Sequence, residues 1–395
     1  MFLAFIFNPP WGRRSLAFGA LGIGLLIFSS TARASDLTLQ AIGGESGIWS
    51  SNPLLATSGA RALYGSTTSP EFIVKNTDPT SPFSFDSRVD KNIFNQSAFN
   101  STDAHETGSF ALQNQRWSGS VLAHGDYDTT RTSELTTFGL NPIIARHMGL
   151  SVQPTVTYSS TAIDQLSLQG AVAASKYDNS IFTNYETFSA SPTYTHHLDP
   201  RNAAIFTLQA QRYQTTRGNP VTVDSIGPSA GWQFIFSPRF TANASVGAQS
   251  SREYRFGFVN QPWTAQYTFA GGLAFQGLQD TIHATTSRAQ YPYGDGTEAL
   301  QTAFNITESH ALTPLWAIDI GGNYLTSTYQ ISAPGNLKMQ GGGNLGFTYH
   351  ATEHIDFSAS YQYRRETLIG DNRIPQDNAL MLGLVLHPKL WTLLE

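Results

Sequence analysis

From about Gln153 to Leu386 the chain runs in short segments that alternate apolar and polar residues, with aromatics near the segment ends. In Trp316-Ala-Ile318-Asp-Ile320-Gly-Gly322-Asn-Tyr324 the even positions are apolar, while Asp319, Gly321 and Asn323 face the other way. Ile355-Asp-Phe357-Ser-Ala359-Ser-Tyr361-Gln-Tyr363-Arg repeats the pattern on the odd positions. A period of two places successive side chains on opposite faces, so these segments are strands with two different faces. Strands of about ten residues girdled by aromatics match the span of a membrane β-barrel. The alternation predicts strands near 150–159, 165–176, 184–196, 202–214, 222–236, 240–252, 262–276, 280–290, 298–310, 314–328, 336–350, 354–366 and 376–388. Closed single-chain barrels have even strand numbers, so one more strand is expected upstream. Phe110 to Gln115, Ser120 to Asp128 and Glu134 to Ile143 are candidates for it. The expected fold is therefore all-β: a transmembrane antiparallel up-and-down β-barrel of about 14 strands, with 12 or 16 as alternatives.

The turns orient this barrel. Leu198-Asp-Pro-Arg201, Ser237-Pro-Arg239, Leu278-Gln-Asp280, Ala311-Leu-Thr-Pro314 and Ala351-Thr-Glu353 are short. They alternate with longer polar connections: Thr215 to Val221, Arg252 to Gln261, Tyr291 to Thr297, Gln330 to Asn336 and Leu368 to Gln376. Short turns belong at the periplasmic end and long loops outside. The Ser-Pro-Arg and Asp-Pro-Arg turns recur with the hairpins as a weak repeat. A soluble sandwich or propeller is the competing architecture. It would leave Trp263, Tyr267, Phe269 and Leu273, all on one side of their strand, without a surface to cover.

With the apolar face turned to lipid, the other face is mostly amide and hydroxyl. The candidate pore-lining residues are Gln209, Gln211, Gln233, His283, Gln301, Asn305, Asp319, Asn323, Lys338, Gln340, Gln362 and Arg364. Such groups exchange hydrogen bonds with water or sugar hydroxyls in both directions and impose little charge filter. The same residues could equally be filling that only hydrates the interior. Arg364, Arg365 and Arg373 are expected near the outer rim, where cations solvate loops or meet lipopolysaccharide phosphates. With few cations expected in mid-barrel, a neutral or weakly acidic saccharide fits better than an ion.

Composition supports a barrel over a helical membrane protein. Charged residues are 13% of the chain and aromatics 12%, with a mean hydropathy of -0.21, whereas a soluble domain carries about 25% charged residues. The net charge of -5 gives no argument for nucleic acid. The absence of cysteine fits an envelope barrel and rules out a lipoprotein anchor. Arg13-Arg14, the apolar run Leu16 to Phe28 and Ala32-Arg33-Ala34 read as a signal peptide over 1–34, cleaved near Ala34/Ser35. Residues 35–105 lack clear alternation and carry Pro53, Pro70, Pro79 and Pro82, so an irregular periplasmic segment or a plug is expected there. The barrel proper is expected over 106–395. Its final strand, Asn378 to Pro388, has the apolar spacing of a signal for the barrel-assembly machinery, although the chain continues past it to Glu395.

No catalytic motif stands out, and neither an enzyme nor a cofactor is expected. His196-His197 are strand neighbours and point to opposite faces, so they are a poor metal pair. Asp295 and Asp371 fall in outer loops, where calcium could bind. His124, Asp126 and Asp128 could serve an outer-membrane lipid-modifying enzyme only with a serine motif that the sequence does not show.

The alternating strands, signal peptide, Ser-Pro-Arg and Asp-Pro-Arg turns and Tyr/Phe-rich hairpins over roughly 110–388 resemble the β-barrel porin families of Gram-negative bacteria. The likeness is greatest to outer-membrane barrels found with exopolysaccharide biosynthesis and export. The resemblance implies a pore in the cell outer membrane, used for export of a polymer, with outer-membrane lipid, lipopolysaccharide and a periplasmic export partner as neighbours. A non-conducting docking barrel of a secretion or assembly system is the other class that fits.

Overall fold

The structure is a computed structural model describing residues 37–130, 144–216, 220–255, 262–292, 298–329, 337–389 and 391–394. The signal-peptide reading of 1–34 and the proposed loop residue Asp295 lie outside the described residues. The strands are β1 (Leu37–Ser50), β2 (Leu63–Asn76), β3 (Phe83–Phe94), β4 (Ser101–Gln113), β5 (Trp117–Thr129) and β6 (Arg146–Ser159). They continue as β7 (Asp164–Tyr177), β8 (Tyr185–Asp199), β9 (Asn202–Thr215), β10 (Val221–Ser237), β11 (Phe240–Arg255) and β12 (Thr264–Gln276). The last are β13 (Asp280–Pro292), β14 (Glu298–Thr313), β15 (Trp316–Tyr329), β16 (Leu337–Thr352), β17 (Ile355–Leu368), β18 (Gln376–Leu386) and the short β19 (Trp391–Leu394).

Each strand pairs antiparallel with its sequence neighbours, and β18 returns to β1 through Gly43↔Leu386 to Ser50↔Ala379, which closes the sheet. β19 does not add a place in the wall. It resumes the line of β18 along β1 at Leu39↔Trp391, after a break that holds Pro388. Proline cannot donate to a ladder, which accounts for an interruption there.

The barrel has 18 strands, not about 14. From β6 onward the predicted strands match the observed ones, so the shortfall lies upstream. The stretch 35–105, expected to be irregular or a plug, supplies β1, β2, β3 and the start of β4. Its alternation is masked because outward Trp49, Tyr64, Phe72 and Ile93 are interrupted by small or polar outward positions: Gly43, Glu45, Gly47, Ser66, Thr68 and Ser87. Pro70, which reads as a loop residue, sits within β2, where the ladder to β3 skips from Thr68↔Lys91 to Glu71↔Arg88. The wall therefore starts at Leu37 rather than near residue 106.

Short turns such as 114–116, 200–201, 238–239 and 353–354 occupy one end, together with both ends of the wall. Longer loops such as 51–62, 178–184 and 369–375 occupy the other. The buried apolar clusters also gather at the long-loop end. Phe99 packs with Leu63 and Phe94, and Phe182 with Tyr177, so loop side chains lean on the inner wall of the mouth. Leu55 of the β1–β2 loop, at positive φ, is fully buried.

The closing seam is fastened at the same end. Asp377 of β18 is 0% exposed and accepts hydrogen bonds from Ser50 Oγ (2.7 Å), Ser51 Oγ (3.2 Å) and the Asn52 backbone N–H (2.9 Å). On its other oxygen it receives Arg364 Nη2 of β17 at 2.7 Å. One carboxylate thus ties the first hairpin to the last.

Candidate functional site: the barrel lumen

Ladder partners share a face, so the pairing register sorts the side chains into two sets. The outward set includes Trp232, Ile320, Tyr324, Leu345 and Leu382, all exposed at 38–68%. Aromatic pairs mark its turn-side edge. Trp117 packs at a tilt against Tyr158 and Trp316 stacks on Tyr349, each at 4.5 Å between ring centroids. Toward the loop side, Trp49, Tyr64, Tyr127 and Tyr267 stand outward. Amphipathic rings suit the level of lipid headgroups.

The inward set is polar. Asn305 and Asn323 are direct ladder partners, and so are Asn344 and Gln362. His283, Gln209 and Gln233 are exposed on the same inner face. At mid-wall, consecutive residues are exposed on both sides, as in Trp232 and Gln233, Phe304 and Asn305, Asn323 and Tyr324, Asn344 and Leu345, Tyr361 and Gln362. A filled barrel would bury the inner member of each pair. Here both are accessible among the described residues, so the wall encloses open space.

The other residues expected in the lumen fall into groups. Gln211 faces inward opposite Ser189 and Ser225, and Asp319 faces inward opposite Ser309 and Gly346. Gln301 and Gln340 lie on the inner face but are 4% exposed each, packed into the mouth. Lys338 occupies the irregularity in which β16 slips against β17 between Leu337 and Met339. Arg364 is engaged by Asp377, and in the β17–β18 loop Arg373 is engaged by Asp371. The Arg373 guanidinium holds the Asp371 carboxyl down at about 2. His196 and His197 lie on opposite faces: His196 Nδ1 is 2.8 Å from Asp164 Oδ1, while His197 is the inward partner of Ala203.

The inner wall is not uniformly neutral. Over β2 to β6 it carries Glu71, Asp86, Arg88, Asp90, Asp103, His105, His124, Asp126, Asp128 and His147. Arg88 Nε lies 3.3 Å from Asp90, whose other oxygen lies 3.4 Å from His105 Nε2. His105 Nδ1 is 2.6 Å from Asp126 Oδ1, and Asp126 Oδ2 is 2.7 Å from His124 Nε2. Asp128 holds His147 at 2.9 Å, and Asp103 receives Arg146 at 2.7 Å and Asn92 at 2.9 Å. The sequence conceals this wall because most of it sits on β2–β4. Its signal was present in Asp86-x-Arg88-x-Asp90-x-Asn92 and His124-x-Asp126-x-Asp128, which have the period of a strand. Among the described residues, inward carboxylates outnumber inward lysines and arginines.

Neither a protein-family model nor a curated protein sequence matches the chain. Among solved structures it is similar to the outer membrane channel DcaP of Acinetobacter baumannii, with TM-score 0.45, 11% identity and coverage of 91% of this chain and 99% of that one. It is also similar to OpdO of Pseudomonas aeruginosa (TM-score 0.48, 12% identity, covering 90% and 98%). A third is OccK2 (OpdF) of Pseudomonas aeruginosa (TM-score 0.47, 8% identity, covering 89% and 98%).

Proposed function

We propose that the chain is an outer-membrane channel for hydrophilic solutes, with an uncharged saccharide as the substrate class. The observation that carries it is the mid-wall exposure of both members of pairs such as Asn323–Tyr324. An apolar outward belt between aromatic edges suits lipid, and an open inner face lined by amides and hydroxyls suits a hydrated solute. Transport rather than catalysis is the role such a wall serves.

The charge distribution narrows the substrate. An anionic polymer would meet the carboxylates of β2–β5 with few cations to offset them, whereas an uncharged sugar is indifferent to the field and can bond to Asn, Gln, Ser and Thr. The outcome for small ions is a cation preference, because walls of one sign concentrate counter-ions. Replacing Asp90→Asn together with Asp126→Asn should lower the cation-over-anion permeability ratio severalfold, read from reversal potentials in a salt gradient. An unchanged ratio would remove the β2–β5 wall from the selectivity account.

The finer reading is passage of a saccharide chain during exopolysaccharide export, with import of an oligosaccharide as its counterpart. Deleting the gene should strand polysaccharide in the periplasm in the first case, or slow growth on one oligosaccharide in the second. If neither changes, the saccharide assignment fails. Partners follow from position. On the loop side the outward cations Lys176, Arg212, Arg252, Arg288 and Arg365 stand within the last few residues of their strands. Guanidinium and ammonium groups there suit lipopolysaccharide phosphates. Leu380, Leu382, Leu384 and Leu386 of the last strand would serve recognition by the barrel-assembly machinery. A docking barrel that conducts nothing is the second reading, favoured by the loop residues Leu55, Phe99 and Phe182 packed into the mouth.

A further inference from the structure

We propose that the inner wall of β11–β17 is a hydrogen-bonding track along which a linear, uncharged saccharide binds as an extended chain; the proposal rests on the reading of the lumen as a saccharide path. The inner face is divided in two. Over β2–β6 the charged groups engage one another: Arg88 with Asp90, Asp90 with His105, and Asp126 with both His105 and His124. Over β11–β17 the side-chain amides of Asn243, Asn305, Asn323, Asn344 and Gln362 are exposed and have no hydrogen-bond partner among the described residues. Bonding capacity toward a ligand therefore lies on the amide wall. Its residues are also in line. Asn243 pairs with Gly272, Gly272 with Thr285, Thr285 with Asn305, Asn305 with Asn323 and Asn323 with Gly342, so one unbroken row of ladder partners crosses β11 to β16. Asn344 and Gln362 pair in the next row on the same face.

Strands lean against the axis of a closed barrel, so a row of ladder partners climbs around the wall instead of circling it at one level. Followed backward, this row reaches Gln233 near the turn end of β10, which stops at Ser237. Followed forward, it reaches Arg364 near the loop end of β17, which stops at Leu368. The row thus leads from the turn side of the lumen to the mouth. The asparagines lie flat on it because their ladder partners are glycines. A Cβ on Gly321 would stand 2.1 Å from Asn344 Oδ1, one on Gly272 2.7 Å from Asn243 Oδ1, and one on Gly342 3.0 Å from Asn323 Oδ1. A chain can therefore lie close against the wall. Each amide both donates and accepts, as a sugar hydroxyl does, and neighbouring strands repeat the offer about every 4.8 Å. An extended saccharide meets several such groups at once, whereas a small ion gains nothing there that water does not supply.

The test records block of single-channel current through the full mature protein by maltohexaose and cellohexaose, neutral linear hexasaccharides of different linkage. The parent should show transient blocks by at least one of them. Their binding constant should fall about tenfold in Asn305→Leu with Asn323→Leu, the scale of losing two neutral hydrogen bonds. It should stay unchanged in Asp90→Asn with Asp126→Asn, on the charged wall. Should the central pair not give heat-modifiable mobility, Asn243→Leu with Gln362→Leu removes two other amides of the same wall and should weaken the block likewise. Block that persists undiminished in the amide variants would overturn the track and leave the saccharide reading intact, and so would block lost only in the charged-wall variant. A conducting parent that neither sugar blocks would overturn the saccharide reading, and the track with it.

Discussion

Ile320→Arg should destabilise the barrel by about 2–4 kcal/mol, the cost of a cation on the lipid face near mid-membrane, whereas Asn323→Arg should fold nearly normally. The two residues lie three apart on one strand and point to opposite faces. Ile320 is 49% exposed and paired with Leu345, in the outward belt. Asn323 stands opposite Asn305 in the open lumen, where an arginine can stay hydrated. Urea unfolding of the two variants in lipid, followed by gel mobility, measures the difference. The Asn323 variant should also shift ion preference toward anions. Failure of Asn323→Arg to assemble, with Ile320→Arg tolerated, would invert the two faces and dissolve the lumen.

Asp377→Ala should be the most damaging single change at the seam. Its carboxylate is fully buried and is shared by Ser50, Ser51, the Asn52 N–H and Arg364. Removing one partner of a buried ion pair leaves the other charge uncompensated, at about 3–5 kcal/mol. The effect should localise to the loop end of the β18–β1 junction, because the ladder from Gly43↔Leu386 upward is untouched by the substitution. Hydrogen exchange should therefore rise first at Ser50 to Asn52 and at Asn378. Asp377→Asn, which keeps the shape and some of the bonds, should lose less. If the alanine variant matched the parent in both stability and exchange, the seam would owe its closure to the strand pairing alone.

The sequence made the wall from β6 to β18 legible because those strands set large apolar residues against small polar ones. Trp316, Ile318 and Ile320 against Asp319, Gly321 and Asn323 leave no doubt about period. The first hairpins were not legible for a physical reason. Their outward apolar residues, such as Tyr64, Phe72 and Ile93, are interrupted by Glu45, Thr68, Ser87 and Glu106, so the alternation is broken and Pro70 reads as a loop. The same feature conceals the charged inner wall, since Asp86, Arg88 and Asp90 have no assignable face unless Phe83–Phe94 is a strand. Inward facing could be read strand by strand for Gln209, His283, Asn305 and Gln362. What alternation does not encode is long-range partnership. The enclosure of Gln301 and Gln340 by the mouth, and the capture of Arg364 by Asp377, depend on loops and on closure across the whole chain.

An open hydrated lumen should conduct, and planar-bilayer recording of the purified, folded protein measures that conductance. Stepwise ion currents are expected, with a preference for cations that falls in the Asp90→Asn, Asp126→Asn variant. Correctly inserted barrels that pass no current across the accessible voltage range would contradict it.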